Sequence, residues 1–496
     1  MVNTIKKSND KEVIMGVLSN YEPVSVFRFF EEICSIPHGS GNVEQISNYL
    51  VDFAKKRDLK YRQDEKMNVI IWKDGSKGYE EAEPVILQGH MDMVAVKVDG
   101  CSKNMETEGL DLEVLDGDLI SAKGTSLGGD DGIAVAYTLA VLDDASIAHP
   151  PIEAIFTVDE EIGMLGADAI DVSDLKGRLF MNMDSEDEGI FTVSCAGGAG
   201  ATCILPYDTE TMNAAVLKVR LEGFRGGHSG VEINKGRLNA NTTLGRILYG
   251  AEFEDFRIIS VSGGEKDNAI ATFSEAVIAV PEDQIVQTKE TMEAVMKEIQ
   301  AEYSTVDPDI MISFEEEGEQ EIECMTAIAT ASVITCLINL PNGIQRMNPE
   351  MEDMVQTSLN LGILDTTKEA VSFSYAVRSS SETEKEFLID KLRSLTEILG
   401  GEVEVAGDYP GWEYKADSKL REVMVAAYKD LYGEEPVVEG IHAGLECGLF
   451  ASKLEGLDAV SFGPQMENIH TTNEVLSISS TKRTWELVLK ILENLK

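Results

Sequence analysis

Two histidines and several carboxylates fall where apolar runs end. His90 and Asp92 lie two apart at the end of PVILQGHMD, and alternation along a strand puts such a pair on one face. Asp130 and Asp131 sit in the glycine-rich GTSLGGDDG, just before the apolar stretch GIAVAYTLAVLD. Asp159, Glu160 and Glu161 follow IEAIFTV, Asp184 ends RLFMNMD, and His470 comes shortly after AVSFGP. Each has a plain structural explanation. An HxD can be a hydrogen-bonded pair, an Asp before an apolar run caps a helix, and an acidic triplet is usually a solvated surface. Taken together, strand ends offer His, Asp, Glu, Asp and His. Three consecutive acids directly after a buried strand repel one another unless positive charge sits among them. Imidazole and carboxylate ligands favour zinc or its first-row neighbours. The set therefore suits a divalent metal better than a nucleophilic triad. No GxxxxGK[ST] phosphate loop is present.

These residues need a sheet to gather them. Apolar spacing predicts two helices within 22–58, separated by the turn Pro37-His38-Gly39-Ser40-Gly41. Continuous Val, Ile and Leu runs at 69–72, 84–94, 152–158 and 178–184 read as strands buried on both faces, with a helix at 132–143. That order predicts βαβ units and a mostly parallel sheet, whose carboxyl edge is where α/β proteins carry their sites. Past about residue 190 the pattern turns α+β. Strands are predicted at 214–227, 271–280, 309–317, 354–365, 370–380 and 402–407, and helices at 238–250, 287–303 and 384–400. From 408 the α/β pattern returns, with a helix at 418–433, a strand at 457–464 and a last helix at 481–495. The simplest organisation is an α/β domain in two parts, 1–191 and 404–496, interrupted by an inserted α+β domain at 192–403.

Composition narrows the partners. Lys plus Arg number 42 against 88 Asp plus Glu, a formal net charge of −46. Such a surface is well solvated and argues against nucleic acid and against docking on an anionic membrane. The seven cysteines are odd in number, irregularly spaced and without a CxxC pair. Reduced thiols in a cytoplasmic protein fit that pattern better than disulfides. The N-terminal MVNTIKKSNDKEVIMG has no apolar core of a secretory signal, and no run of about 18 apolar residues predicts a membrane span.

The strings HMD at 90–92, GTSLGGDDG at 124–132, DEEIGMLGA at 159–167, NMDSEDEG at 182–189, GGHSG at 226–230 and IHAGLECG at 441–448 resemble the M20 metallopeptidases. The likeness runs from CSIPHGS at 34–40 to the terminal helix. It implies a di-metal peptidase domain with an inserted lid. Carried over residue by residue, His90, Asp130 and Asp184 would hold one metal, and Asp130, Glu161 and His470 a second, with Asp130 bridging. The resemblance makes Glu160 the general acid/base, Asp92 the residue orienting His90, and the Asp130–Asp131 peptide cis. The two ions would be zinc, with cobalt or manganese as alternatives. Two dications against three carboxylates and one bridging hydroxide sum to zero charge. In the lid, His228 matches a histidine that stabilises the oxyanion, although a turn role beside its glycines is the plainer reading. Arg378 matches an arginine that grips the substrate's terminal carboxylate, and Asn268 a further substrate contact.

The implied reaction is metal-dependent hydrolysis of dipeptides by a bridging hydroxide, with a C-terminal histidine (Xaa-His, carnosine-like) as the favoured case. Another M20 activity, tripeptidase or N-acyl amino-acid deacylase, is the alternative. A binding protein without catalysis would lack Glu160 or a ligand, and those positions are all filled. His38 and His442 read as structural, His149 as loop, and Glu446 has no assigned role. The insert, at about 210 residues, exceeds the usual ~100–150-residue domain and is about twice the lid of smaller members. It could supply His228 within one chain, so a homodimer is one quaternary state left open.

Overall fold

The computed structural model describes residues 16–251 and 256–496. The segment 1–15, on which the expectation of no secretory signal mainly rests, lies outside them. The chain divides into two units. One comprises Met1–Val193, Lys415–Val438 and Lys453–Lys496; the other comprises Ser194–Tyr414 and Glu439–Ser452.

The first unit is built on a mixed sheet whose middle is parallel. Ile152–Thr157, Val85–His90, Leu179–Asn182 and Asp458–Ser461 lie side by side and parallel. Lys60–Gln63 and Val69–Lys73 add antiparallel beyond Ile152–Thr157. Every residue of Val85–His90 and Ile152–Thr157 is buried, as continuous apolar runs require of strands covered on both faces. Helix Gly129–Asp143 is buried all round except at its end, so it is sandwiched rather than laid on the surface. Gly132 lies beside Phe30 and Ile33 of helix Val24–Cys34. Tyr137 stacks on Trp485 of the C-terminal helix Ile478–Asn494, centroids 6.0 Å apart and planes within 4°. These contacts hold the start of Gly129–Asp143 at the sheet's carboxyl edge.

Two local features depart from the periodicity. The strand at 84–94 stops at His90, so Asp92 lies in the following loop and strand alternation is not what aims it. A hairpin, Leu112–Leu115 with Leu119–Ala122, is not predicted. Its strands are only four residues each, too short for periodicity to register.

The second unit is a continuous antiparallel sheet. Its order is Met311–Met325, Thr209–Glu222, Ser274–Val280, Arg257–Gly263, Val355–Thr366, Ala370–Ser379, Gly197–Pro206 and Glu402–Tyr409, with Gly343–Met347 also paired to Val355–Thr366. Helices Ala240–Gly250, Ile285–Glu302, Ala327–Asn339 and Glu382–Ile398 contribute to its single large core. Ala327–Asn339 is absent from the predicted elements because β-branched Ile328, Thr330, Val333, Ile334 and Ile338 disfavour helix locally. Burial of Ala329, Val333, Ile334 and Leu337 overrides that preference, and Thr326 caps the start by accepting from the Ala329 N–H. Among the described residues no helix is long and apolar enough to cross a membrane.

Candidate active site

The first unit brings the ionisable strand-end residues together. Asp130 is the hub: His90 Nε2 lies 3.0 Å from its Oδ1, and His470 Nε2 lies 3.0 Å from its Oδ2. Asp184 Oδ1 is 3.7 Å from His90 Nε2. Glu161 Oε2 is 3.0 Å from His470 Nε2. Two donor sets result, His90–Asp130–Asp184 and Asp130–Glu161–His470, each with its atoms within 4.8 Å of one another. Glu160 joins His90 and Glu161 in a third such group.

Backbone geometry explains how Asp130 serves both sets. Gly128 takes a left-handed conformation (φ +66°), which glycine adopts without a Cβ penalty. Asp130 and Asp131 then depart from helical dihedrals, and the peptide between them is cis. Asp131 turns away from the cluster and its carboxylate accepts the His90 N–H at 3.2 Å. His470 itself has φ +61°, a conformation uncommon outside glycine and concentrated at functional sites.

The neighbours set the histidine tautomer and the position of Glu160. His90 Nδ1 lies 3.0 Å from the Asp92 carbonyl oxygen, so Nδ1 carries a proton and Nε2 is the nitrogen left to ligate an ion in the cluster. The Asp92 carboxylate is 3.6 Å from the same ring nitrogen. Its two oxygens also accept from the Ser40 hydroxyl at 2.8 Å and the Glu160 N–H at 3.1 Å. Asp92 thus ties His90 to the turn carrying Glu160 and Glu161. Asp159 faces elsewhere and accepts from the Gly41 N–H.

The electrostatics are those of a site short of positive charge. Burial raises Glu161 and Asp131 above the usual carboxylate range. Glu186 is pushed up to about 7 by burial and then by the charges of Asp130 and Asp184. His470 is pushed up to about 10 by its bonds to Asp130 and Glu161. Burial alone would depress His90, but bonds to Asp130, Asp184 and Asp92 outweigh it and raise it. Glu161 Oε1 is buried with no hydrogen-bond partner among the described residues. Three carboxylates, two imidazoles and an unsatisfied buried oxygen are what a pair of divalent cations fits.

One spacing match for a serine nucleophile exists, GTSLG at 124–128, and the structure removes it. Ser126 is fully buried, and its hydroxyl donates to the Val94 carbonyl at 2.6 Å.

The second unit gathers the other candidates. His228 pairs with Ala269 across a short ladder, and the Ser229 N–H donates to the Asn268 carbonyl at 2.9 Å. His228 Nδ1 accepts from the Gly230 and Val231 N–H groups at 3.1 and 3.2 Å. The proton of the neutral ring therefore sits on Nε2, and partial burial and the Arg378 charge favour that neutral form. Arg378 and Asn268 line a cavity of about 510 Å³. The Arg378 guanidinium donates to the Tyr409 hydroxyl at 3.3 Å. Gly198, opposite Arg378 in the sheet, makes room for that phenol: a Cβ there would come 2.6 Å from the hydroxyl. Buried Lys385 holds the end of strand Glu402–Tyr409 by donating to Asp408 at 2.5 Å and to the Tyr409 carbonyl at 2.8 Å.

Tyr409, Ser40 and Glu186 are given no role from sequence. Ser40 and Glu186 lie inside motif strings, but what they face is set by segments distant in the chain, as is the contact of Tyr409 with Arg378. Of the remaining histidines, His38 Nδ1 and His149 Nδ1 each meet a backbone carbonyl at 2.6 Å. His442 is buried and bonds the Ser358 hydroxyl at 2.7 Å. Glu446 opens helix Glu446–Lys453 and is fully buried.

An α/β unit with two imidazole–carboxylate donor sets sharing one Asp defines a candidate metallohydrolase. Residues 86–494 match the model of peptidase family M20/M25/M40, and the chain belongs to that family. It is 34% identical over 484 residues to the cytosol non-specific dipeptidase of Escherichia coli strain K12, covering 97% of this chain and 99% of that one. The crystal structure of aminoacylhistidine dipeptidase from Vibrio alginolyticus matches with a TM-score of 0.92 at 34% identity, over 96% of this chain and 98% of that one. Aminopeptidase PepT from Bacillus cereus shares the fold, with a TM-score of 0.54 at 18% identity over 95% and 98% of the two chains.

Proposed function

We propose that this chain is a di-metal dipeptidase acting on unblocked dipeptides, Xaa-His among them. The observation that carries the reading is the position of Asp130, whose two oxygens each lie 3.0 Å from a different histidine. His90, Asp130 and Asp184 would hold one ion; Asp130, Glu161 and His470 would hold the other. Zinc is the first candidate, and cobalt or manganese also suit these N/O donors. When bound, such ions polarise the scissile carbonyl and lower the pKa of water to ~7.

The chain's own residues do the rest. Glu160, its backbone held by Asp92, takes the proton from the attacking water and delivers it to the leaving amine. Asp92 keeps His90 in the tautomer that exposes Nε2. His228, with its proton on Nε2, donates to the developing oxyanion. Arg378 takes the terminal carboxylate, for which a planar guanidinium offers paired donors, and Asn268 adds a further contact.

Dipeptide substrates are supported by the names of the two 34%-identical relatives. Preference for C-terminal histidine is supported by the Vibrio alginolyticus name alone, and the Escherichia coli name points to a broader range. A cytoplasmic location is supported by the cytosol enzyme it resembles and by seven free cysteines.

The test is to strip the protein with a chelator, restore zinc or cobalt, and assay dipeptides with and without C-terminal histidine beside tripeptides and N-acyl amino acids. Metal-dependent release of histidine from Xaa-His is expected. Cleavage of tripeptides or acyl amino acids alone, with both ions bound, would move the chain to another activity of its family.

A further inference from the structure

Helix Gly129–Asp143 begins without a cap of its own. The residue before it is Gly128, which has no side chain to offer. Asp130 and Asp131 lie outside helical dihedrals. The first N–H groups of a helix have no partner inside it and must find one elsewhere. Here the N–H groups of Gly128, Gly129 and Asp130, with that of Leu127 before them, go to one distant carboxylate. Glu474 Oε2 accepts from Leu127 N at 2.8 Å and Gly128 N at 3.1 Å. Its Oε1 accepts from Gly129 N at 2.8 Å and, more weakly, Asp130 N at 3.4 Å.

Glu474 is 3% exposed, and burying a carboxylate is costly unless it is well bonded. A Ser or Asp at position 128 could not serve as a local cap, since φ there is +66° and a Cβ would come 2.7 Å from Met93 Sδ. This chain instead uses a residue more than 340 positions away. That residue stands four places after His470 in the same loop. The loop is anchored in turn by the Ser121 hydroxyl, which donates to the Glu474 carbonyl at 3.1 Å. Asp130 is therefore held on two sides by one segment: its carboxylate by His470 at 3.0 Å and its N–H by Glu474.

We infer that Glu474 is a positioning residue for the metal centre, clamping the 127–130 loop so that both oxygens of Asp130 face their separate donor sets. It also couples the loop bearing His470 to the bridging Asp. The inference rests on the reading that Asp130 is a metal ligand. A glutamine cannot replace Glu474 here. Its amide nitrogen is a donor and would face two N–H groups that need an acceptor.

The test measures zinc affinity of the full chain by chelator competition, with zinc content per chain after dialysis as a second readout. Glu474→Gln is expected to bind zinc about 10–100-fold more weakly than wild type, the range for loss of a residue that orients metal ligands. Circular dichroism of the metal-free proteins checks that the variant is folded. Should Glu474→Gln not fold, Glu474→Asp serves. Its shorter carboxylate cannot span all four N–H groups, so it too should bind more weakly. Wild-type zinc affinity in a folded Glu474 variant would overturn the inference and leave a helix cap only. Asp130→Asn separates the two readings. If it keeps both zinc ions at wild-type affinity, the ligand assignment fails. If it loses zinc while folded Glu474 variants do not, the positioning role alone fails.

Discussion

His470 Nε2 stands 3.0 Å from Asp130 Oδ2 although 340 residues separate the two in the chain. The same ring nitrogen is 3.0 Å from Glu161 Oε2, and neither contact involves Asp184 or His90. Replacing His470 should therefore empty one donor set and spare the other. His470→Ala is expected to lower metal content from two ions per chain towards one, measured by atomic emission after dialysis. Two retained ions would show the assignment to be wrong.

Glu160 sits beside the donor sets but is needed by neither of the two that share Asp130. Glu160→Ala should keep both ions and lose the proton transfer. General acid/base groups contribute about 10²–10⁴-fold, so kcat should fall by that order with metal content unchanged. Near-normal turnover would remove Glu160 from its role.

Arg378 faces the 510 Å³ cavity and is steadied by Tyr409. If it grips the terminal carboxylate, its loss should be felt in KM. Charge-assisted hydrogen bonds contribute about 1.5–3 kcal/mol, or roughly 10–100-fold in affinity. Arg378→Met should raise KM by that factor for a free dipeptide and leave the weak hydrolysis of its C-terminal amide unchanged. Equal losses on both substrates would point to a general packing role.

His442 gives a pH dependence independent of the metal ligands. Burial, and after it the Arg378 charge, depress it from 6.5 to about 3. Between those values the unfolded chain binds a proton that the native chain does not, so stability rises with pH and is lost as pH falls. The contribution is complete above 6.5 and is lost on the way to about 3. Its slope is at most ~1.4 kcal/mol per pH unit. Urea unfolding of metal-free protein from pH 7 to pH 4 should show a shallower acid loss for His442→Asn than for wild type. Parallel curves would show that His442 does not carry that slope.

Much of the architecture was legible because its signals are local. Continuous apolar runs at 152–158 and 178–184 became the parallel strands Ile152–Thr157 and Leu179–Asn182. The helix at 418–433 became Lys419–Tyr432, with Ser418 accepting from Arg421 as its cap. Weak local signals failed, as at the four-residue strands of the 112–122 hairpin and the β-branched helix Ala327–Asn339. There, burial of one face outweighs intrinsic preference, and burial is not visible in a window of sequence.

The site divides in the same way. Residue types near strand ends pointed to a cluster of His, Asp and Glu side chains, because parallel strands deliver their carboxyl ends to one edge; the resemblance to the M20 peptidases singled out His90, Asp130, Glu161, Asp184 and His470 within it. The chain's family is legible in its motifs for the same reason: each is short and contiguous. Sequence alone could not assign Glu474 to the N–H groups of 127–130, Asp92 to the Glu160 backbone, or Tyr409 to Arg378. Those partners lie in separate segments, and a hydrogen bond between them depends on distances and angles that exist only once the sheets and loops have packed. Composition and motif determined which atoms could bind a metal; tertiary packing decided which way each one faces.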